Sequence, residues 1–105
     1  MTAYNVVRFR TKPGKAQEFV DRHHSVEMST AGFHKGVLVQ TGDRDFCFIG
    51  EWSAFEDMAR ARPAMIGILD GMRELLEDLG NGLGVTDPVS GSVVAVFGER
   101  TPARA

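Results

Sequence analysis

Cysteine is almost missing: Cys47 is the only one in 105 residues. A lone thiol closes no disulfide within the chain. That argues against a disulfide-stapled secreted fold and for a reducing, cytoplasmic home. No apolar run approaches the roughly 20 residues of a membrane span. The opening "MTAYNVVRFR" places arginines where a secretory leader needs an apolar stretch. Neither sign of charge dominates. With a net charge of -2, nucleic acid and anionic membrane are not expected partners. Repeats, low-complexity tracts and signs of a second domain are also lacking.

What the chain does have is material for one core. Its hydrophobic fraction of 43% and charged fraction of 25% are those of an ordinary globular domain, and the length suffices for a core without staples. We expect a single domain over residues 1–98 and a polar tail, "ERTPARA", over 99–105.

Periodicity gives the elements. "YNVVRFR" (4–10) alternates and is rich in β-formers, so it reads as a strand. "TKPGK" is a turn. From Lys15 to about Ser29 the apolar spacing becomes helical, through Ala16, Phe19, Val20, His23 and Val26, with Gly32 as the stop. "HKGVLVQTG" (34–42) and "FCFIGEW" (46–52) read as a hairpin turned by "DRD". Ser53 and Glu56 have the spacing of a capping box. Pro63 breaks or kinks the helical pattern that follows. A second stretch, 64–80, lines up Met65, Ile68, Leu69, Met72, Leu75, Leu76 and Leu79 on one face. "NGLGVTDPVSG" reads as a long loop and "SVVAVFG" (92–98) as the last strand.

The order β-α-β-β-α-β is that of an α+β, ferredoxin-like unit: a four-stranded antiparallel sheet with both helices on one face. The strands are apolar on both faces. Phe46, Phe48 and Trp52 alternate with Cys47 and Ile49; Val93, Ala95 and Phe97 alternate with Val94 and Val96. A sheet greasy on both sides is covered on both sides. We therefore expect a homodimer through the face the helices leave uncovered.

The segments "VRFRTKPGKAQEF", "GF", "FIGEWSAFEDM" and "LEDLGNGLGVTDPVSGSVV" resemble the antibiotic-biosynthesis-monooxygenase branch of the dimeric α+β barrel superfamily, over roughly residues 4–97. That resemblance implies a cleft between helices and sheet. It also implies oxidation of an aromatic or quinol-type substrate without metal or flavin, although heme-degrading enzymes and relatives without assigned activity share the superfamily. The usual functional set there is an asparagine on the first strand, a tryptophan ending the third and a histidine on the following helix. Trp52 matches the tryptophan, and Asn5 lies one or two residues before the aligned position. The histidine has no match: "AFEDMARARPAMIGIL" carries Arg60 and Arg62 instead.

The residues themselves leave alternatives open. His23 falls on the apolar stripe of its helix, either as a packed ring or as a base in a cleft, and a pKa near the ordinary histidine value of about 6.5 would suit that work. His24 points about 100° away, into solvent. His23 and Glu27 have i, i+4 spacing, but two ligands do not make a metal site, and we expect none. Trp52 is core filler or the wall of an aromatic pocket, which Phe46 and Phe48 would extend. Asn5, Val7 and Phe9 share one face of the first strand, and a buried amide there needs a partner. Arg8 is a candidate partner for Glu51. Arg62 stays protonated, so it either is solvated or binds a substrate anion. "GNGLG" (80–84) follows a helix and is no dinucleotide loop. Ser53 and Ser92 have no nucleophile-elbow context. The catalytic candidates are thus His23, Asn5 and Trp52, with Phe46, Phe48, Val7, Phe9 and Arg62 as the wall for a small apolar or aromatic ligand. The competing expectation is a non-catalytic ligand-binding or assembly module on the same fold.

Overall fold

The computed structural model describes residues 1–98; the polar tail expected over 99–105 lies outside the described residues. The elements are β1 (Ala3–Arg10), α1 (Ala16–His24), β2 (Phe33–Gln40), β3 (Asp45–Trp52), α2 (Phe55–Arg60), α3 (Arg62–Asp70), a 3-10 turn (Arg73–Leu75) and β4 (Asp87–Ser92). The strands form one sheet in the order β2-β3-β1-β4, antiparallel at every junction. This is the expected α+β, ferredoxin-like architecture. No helix among the described residues is long and apolar enough to cross a membrane.

Alternation along β1 decides which side is core. Ala3, Asn5 and Phe9 are buried toward the helices, opposite Trp52, Gly50 and Phe46 of β3. Phe19 of α1 drops between Phe9 and Phe46, with ring centroids 5.3 and 5.2 Å away. Full burial of each such ring stabilises the fold by about 1.5–3 kcal/mol. A second cluster joins Ala3, Trp52, Met58 and Ala61 and fixes α2 on the sheet. Buried Thr11 is satisfied by Arg44, whose backbone O accepts from the Thr11 N–H at 2.8 Å.

Several expectations need correction. Helix α1 stops at His24, not Ser29: the N–H groups of Ser25 and Val26 reach back only to the carbonyls of Arg22 and His23, closing the helix in tight i−3 turns. His23 and Glu27 therefore do not share a helix. The capping box does not form. The N-cap is Ala54, without a side-chain bond, and Ser53 Oγ is engaged by His34 Nε2 at 2.8 Å. The second stretch is helical only to Asp70, because the chain beyond Leu75 pairs with the end of β1: Lys12 N–H donates to Leu75 O and Glu77 N–H to Arg10 O, both at 2.8 Å. Arg8 pairs with Asp87 at 3.1 Å, not with Glu51.

The largest correction concerns the last strand. The segment that pairs with β1 is Asp87–Ser92, in register Arg8↔Asp87 to Ala3↔Ser92. The more β-prone run after it leaves the sheet, once Val93 N–H has donated to Thr2 O at 2.8 Å. An edge strand needs ladder groups on one side only, so Pro88 is tolerated there.

Candidate functional site

Between the helices and the inner sheet face lies a cavity of about 480 Å³, open to solvent along one side. Its floor includes Asn5, Val7, Phe9 and Phe48, and α1 contributes Phe19 and His23. Helix α3 contributes Met65, Ile68 and Leu69, with Met72 just beyond it. The apolar residues of the second stretch thus wall the cavity instead of filling it. Arg62 stands at the rim, and β4 closes one side with Pro88, Val89 and Ser90.

Asn5 sits at the polar point of this apolar space and is only 7% exposed. Trp52 Nε1–H donates to Asn5 Oδ1 at 2.8 Å. That bond fixes the amide rotation: the oxygen faces the indole, and the NH₂ faces the cavity, where its neighbour is the weak acceptor Met65 Sδ at 3.7 Å. Gly50 makes this possible. It pairs with Asn5 across the strands, and a Cβ there would stand 2.5 Å from Asn5 Oδ1 and 3.0 Å from the Phe48 ring.

His23 is held just as specifically. Its Nδ1 lies 2.9 Å from Phe19 O. A carbonyl only accepts, so Nδ1–H is the donor, and in the neutral ring Nε2 carries the free lone pair. The ring stands edge-on to Phe19 at 4.6 Å. Arg62 has no hydrogen-bond or ion-pair partner among the described residues. Arg60, by comparison, is paired with Asp57. Apart from His23, Arg62 is the one ionisable side chain on the lining.

The structure therefore brings Asn5, His23, Val7, Phe9, Phe48 and Arg62 onto one lining. Trp52 and Phe46 do not reach it. Trp52 is 0% exposed and Phe46 is 2% exposed; both lie behind the wall, Trp52 as the anchor of Asn5 and Phe46 as a neighbour of Phe19. Gly50, Met28 and Met58 were missed by sequence reasoning. A glycine inside a β-rich run is the signal that would have found Gly50, since it marks a close approach. Among the described residues no three His, Cys, Asp or Glu side chains converge as a metal site would require.

A second polar cluster lies outside the cavity. His34 Nδ1 meets Glu51 Oε2 at 3.1 Å and His34 Nε2 meets Ser53 Oγ at 2.8 Å, while Tyr4 O–H donates to Glu51 Oε1 at 3.1 Å. The hydrogen bond from His34, with a smaller one from Tyr4, holds the Glu51 carboxyl below its ordinary value. The same bond to Glu51 raises the Tyr4 phenol. The order serine–histidine–carboxylate is that of an acyl-transfer triad, but none of the three lines the cavity.

Fold and cleft together define a ferredoxin-like α+β protein with a small apolar chamber under its helices. No family model and no curated protein matches the sequence. Solved structures do match, and several of them are described as antibiotic biosynthesis monooxygenases. A candidate antibiotic biosynthesis monooxygenase from Chloroflexus aurantiacus superposes with a TM-score of 0.68 at 14% identity, covering 93% of this chain and 98% of that one. SnoaB, a cofactor-independent oxygenase from Streptomyces nogalater, gives 0.66 at 16%, over 93% and 98%. A dimeric ferredoxin-like protein from an uncultured marine organism gives 0.70 at 11%, over 94% and 93%. At these identities the likeness is one of fold.

Proposed function

We propose that the chain is a cofactor-independent monooxygenase-like protein acting on a small aromatic or quinol-type substrate in the cavity under its helices. The observation that carries this reading is the Asn5 amide, locked by Trp52 so that its N–H groups face an otherwise apolar chamber. Such a donor suits a ligand carbonyl or phenolate oxygen and would stabilise the negative charge formed on deprotonation. His23 Nε2 is the base that takes the substrate proton. Arg62, unpaired at the rim, holds an anionic substituent. The electron-rich anion then reduces O₂ directly. At a reactive CH₂ carbon, one oxygen atom remains as a carbonyl and the other leaves as water with the two hydrogens. The protein contributes orientation and exclusion of water.

A second copy completes the protein in this reading. The sheet's outer face carries an apolar row across all its strands, Val37–Ile49–Val6–Val89, and the helices do not cover it. A homodimer through this face is the fitting assembly, and the lone Cys47 beside the row suits a reducing cytoplasm.

A non-catalytic ligand-binding module is the second reading. It is favoured by the complete burial of Trp52, which keeps the indole from touching a ligand, and by the lack of a histidine on α2 or α3. One experiment separates the two. A panel of hydroquinones and anthrones is added to the protein, O₂ uptake is followed, and binding is read from fluorescence of Trp52, the sole tryptophan. Uptake that Asn5→Leu and His23→Gln abolish supports the oxygenase. Saturable fluorescence change without uptake supports the module. Neither signal across the panel overturns both.

A further inference from the structure

Four of the five methionines in the chain, Met28, Met58, Met65 and Met72, line the cavity. Thioethers are the most easily oxidised side chains on that lining, and oxidation turns a flexible apolar group into a polar one. Met58 and Met72 are only 3% and 6% exposed. Met28 and Met65 are half-buried, so an oxidant entering the cavity reaches them. Met65 differs from Met28 in one respect. Its sulfur rests 3.7 Å from Asn5 Nδ2, and among the described residues no other methionine sulfur has a polar hydrogen against it. The Asn5 amide does not turn away, because Trp52 Nε1–H holds its oxygen. A fixed donor thus faces an oxidisable atom that is a poor acceptor.

We propose that Met65 is a sulfoxidation site whose product captures the Asn5 amide and closes the polar point of the cavity. The oxidant is hydrogen peroxide. It transfers one oxygen atom to Met65 Sδ. The sulfur gives up two electrons, the peroxide O–O bond breaks, and the other oxygen leaves as water with both hydrogens. The sulfoxide oxygen is a full acceptor where the thioether was a weak one. With the sulfur where it stands, an S–O bond turned toward Asn5 places that oxygen within the roughly 2.7–3.2 Å of an ordinary N–H···O bond. The unbranched, flexible methionine side chain can refine the contact. A ligand oxygen then has to break this bond before it can use the amide.

The function proposed above supplies the oxidant, and this part of the inference rests on that reading. A quinol that hands two electrons and two protons to O₂, without keeping an oxygen atom, becomes a quinone and releases hydrogen peroxide. Met65 Sδ is beside the amide that holds the substrate oxygen, so it meets the peroxide at its point of release. Unproductive turnover thereby shuts its own chamber, and reduction of the sulfoxide reopens it.

The test treats the nitrogen-15-labelled full chain and Met65→Leu with hydrogen peroxide, then with catalase. Leucine keeps the size and apolar character and removes the sulfur. Peptide mass spectrometry locates each added oxygen. Side-chain NH₂ signals are read in an amide correlation spectrum, where Asn5 and Asn81 are the only asparagines. The expected result is one oxygen on Met65 and a downfield shift of an Asn5 NH₂ proton, with backbone signals elsewhere in place. Met65→Leu should show no such shift, and methionine sulfoxide reductases of both stereospecificities should reverse it in the wild type. Affinity for a bound member of the hydroquinone panel should fall by about 10-fold or more on oxidation of the wild type, and should not depend on peroxide in Met65→Leu. Met65 left as a thioether while Met28 is oxidised overturns the site. Oxidised Met65 with the Asn5 signals unmoved overturns the capture. A shifted Asn5 signal in a protein that binds nothing on the panel supports the capture and counts against the proposed function alone.

Discussion

The two faces of the sheet are built from the same strands with opposite outcomes. On the inner face Phe9, Phe46 and Trp52 are buried, and the one buried amide, Asn5, has its oxygen satisfied. On the outer face Val37, Val39 and Val89 remain exposed, although their hydrophobicity is no smaller. The inner face has α1, α2 and α3 to pack on, and among the described residues the outer face has no helix, only the edge contact of Val93, Val94 and Ala95 beside Tyr4 and Val6. Apolar character thus does not tell a core from an interface within a single chain; the supply of a covering surface does.

Substitutions can break or sharpen that comparison. The largest effect belongs to Trp52→Ala, which empties the middle of the second core cluster and should cost about 3–5 kcal/mol in denaturant unfolding. It should also abolish ligand binding, because Asn5 loses its anchor. Gly50→Ala comes next, at about 1–3 kcal/mol, since its new Cβ meets Asn5 Oδ1; ligand affinity should fall even where the fold survives. Asn5→Ala leaves the Trp52 indole N–H buried without an acceptor and should cost about 1–3 kcal/mol. Val37→Thr on the outer face should change the unfolding of a dilute monomer by less than about 0.5 kcal/mol, while weakening self-association in sedimentation. An outer-face cost equal to that of Trp52→Ala would erase the distinction between the faces.

The smallest effect is electrostatic. Glu51 is held below its ordinary 4.5 by His34 and Tyr4. A depressed carboxylate contributes stability above the unfolded value, and that contribution disappears as pH falls through the folded one. Thermal melts should therefore show wild type ahead of Glu51→Gln at neutral pH, by less than about 1 kcal/mol for so exposed a pair. The gap should close as pH falls below 4.5.

Much of the inner face was legible. Alternation put Asn5, Val7 and Phe9 on one face of "YNVVRFR" and Phe46, Phe48 and Trp52 on one face of "FCFIGEW"; the register of the two strands is what brings both sets to the same side. Depth was not legible. Period-two spacing says which face a side chain takes, not whether a helix lies over it or a cavity opens beside it, so Trp52 and Phe46 read as pocket wall when they lie behind it. The β4 region inverted the reading altogether. "DPVSGS" has turn chemistry yet pairs with β1, while "VVAVF" has strand chemistry and leaves the sheet after Val93 N–H has donated to Thr2 O.

The sequence by itself settled the order of elements, which residues of β1 and of β3 share a face and the lack of an internal disulfide, because these follow from local periodicity and composition. Only the tertiary structure decided which C-terminal segment joins the sheet, where α1 and α3 stop, and how Trp52 turns the Asn5 amide toward the cavity. Those outcomes depend on backbone partners and packing surfaces supplied by residues far away in the chain, and propensity carries no record of them.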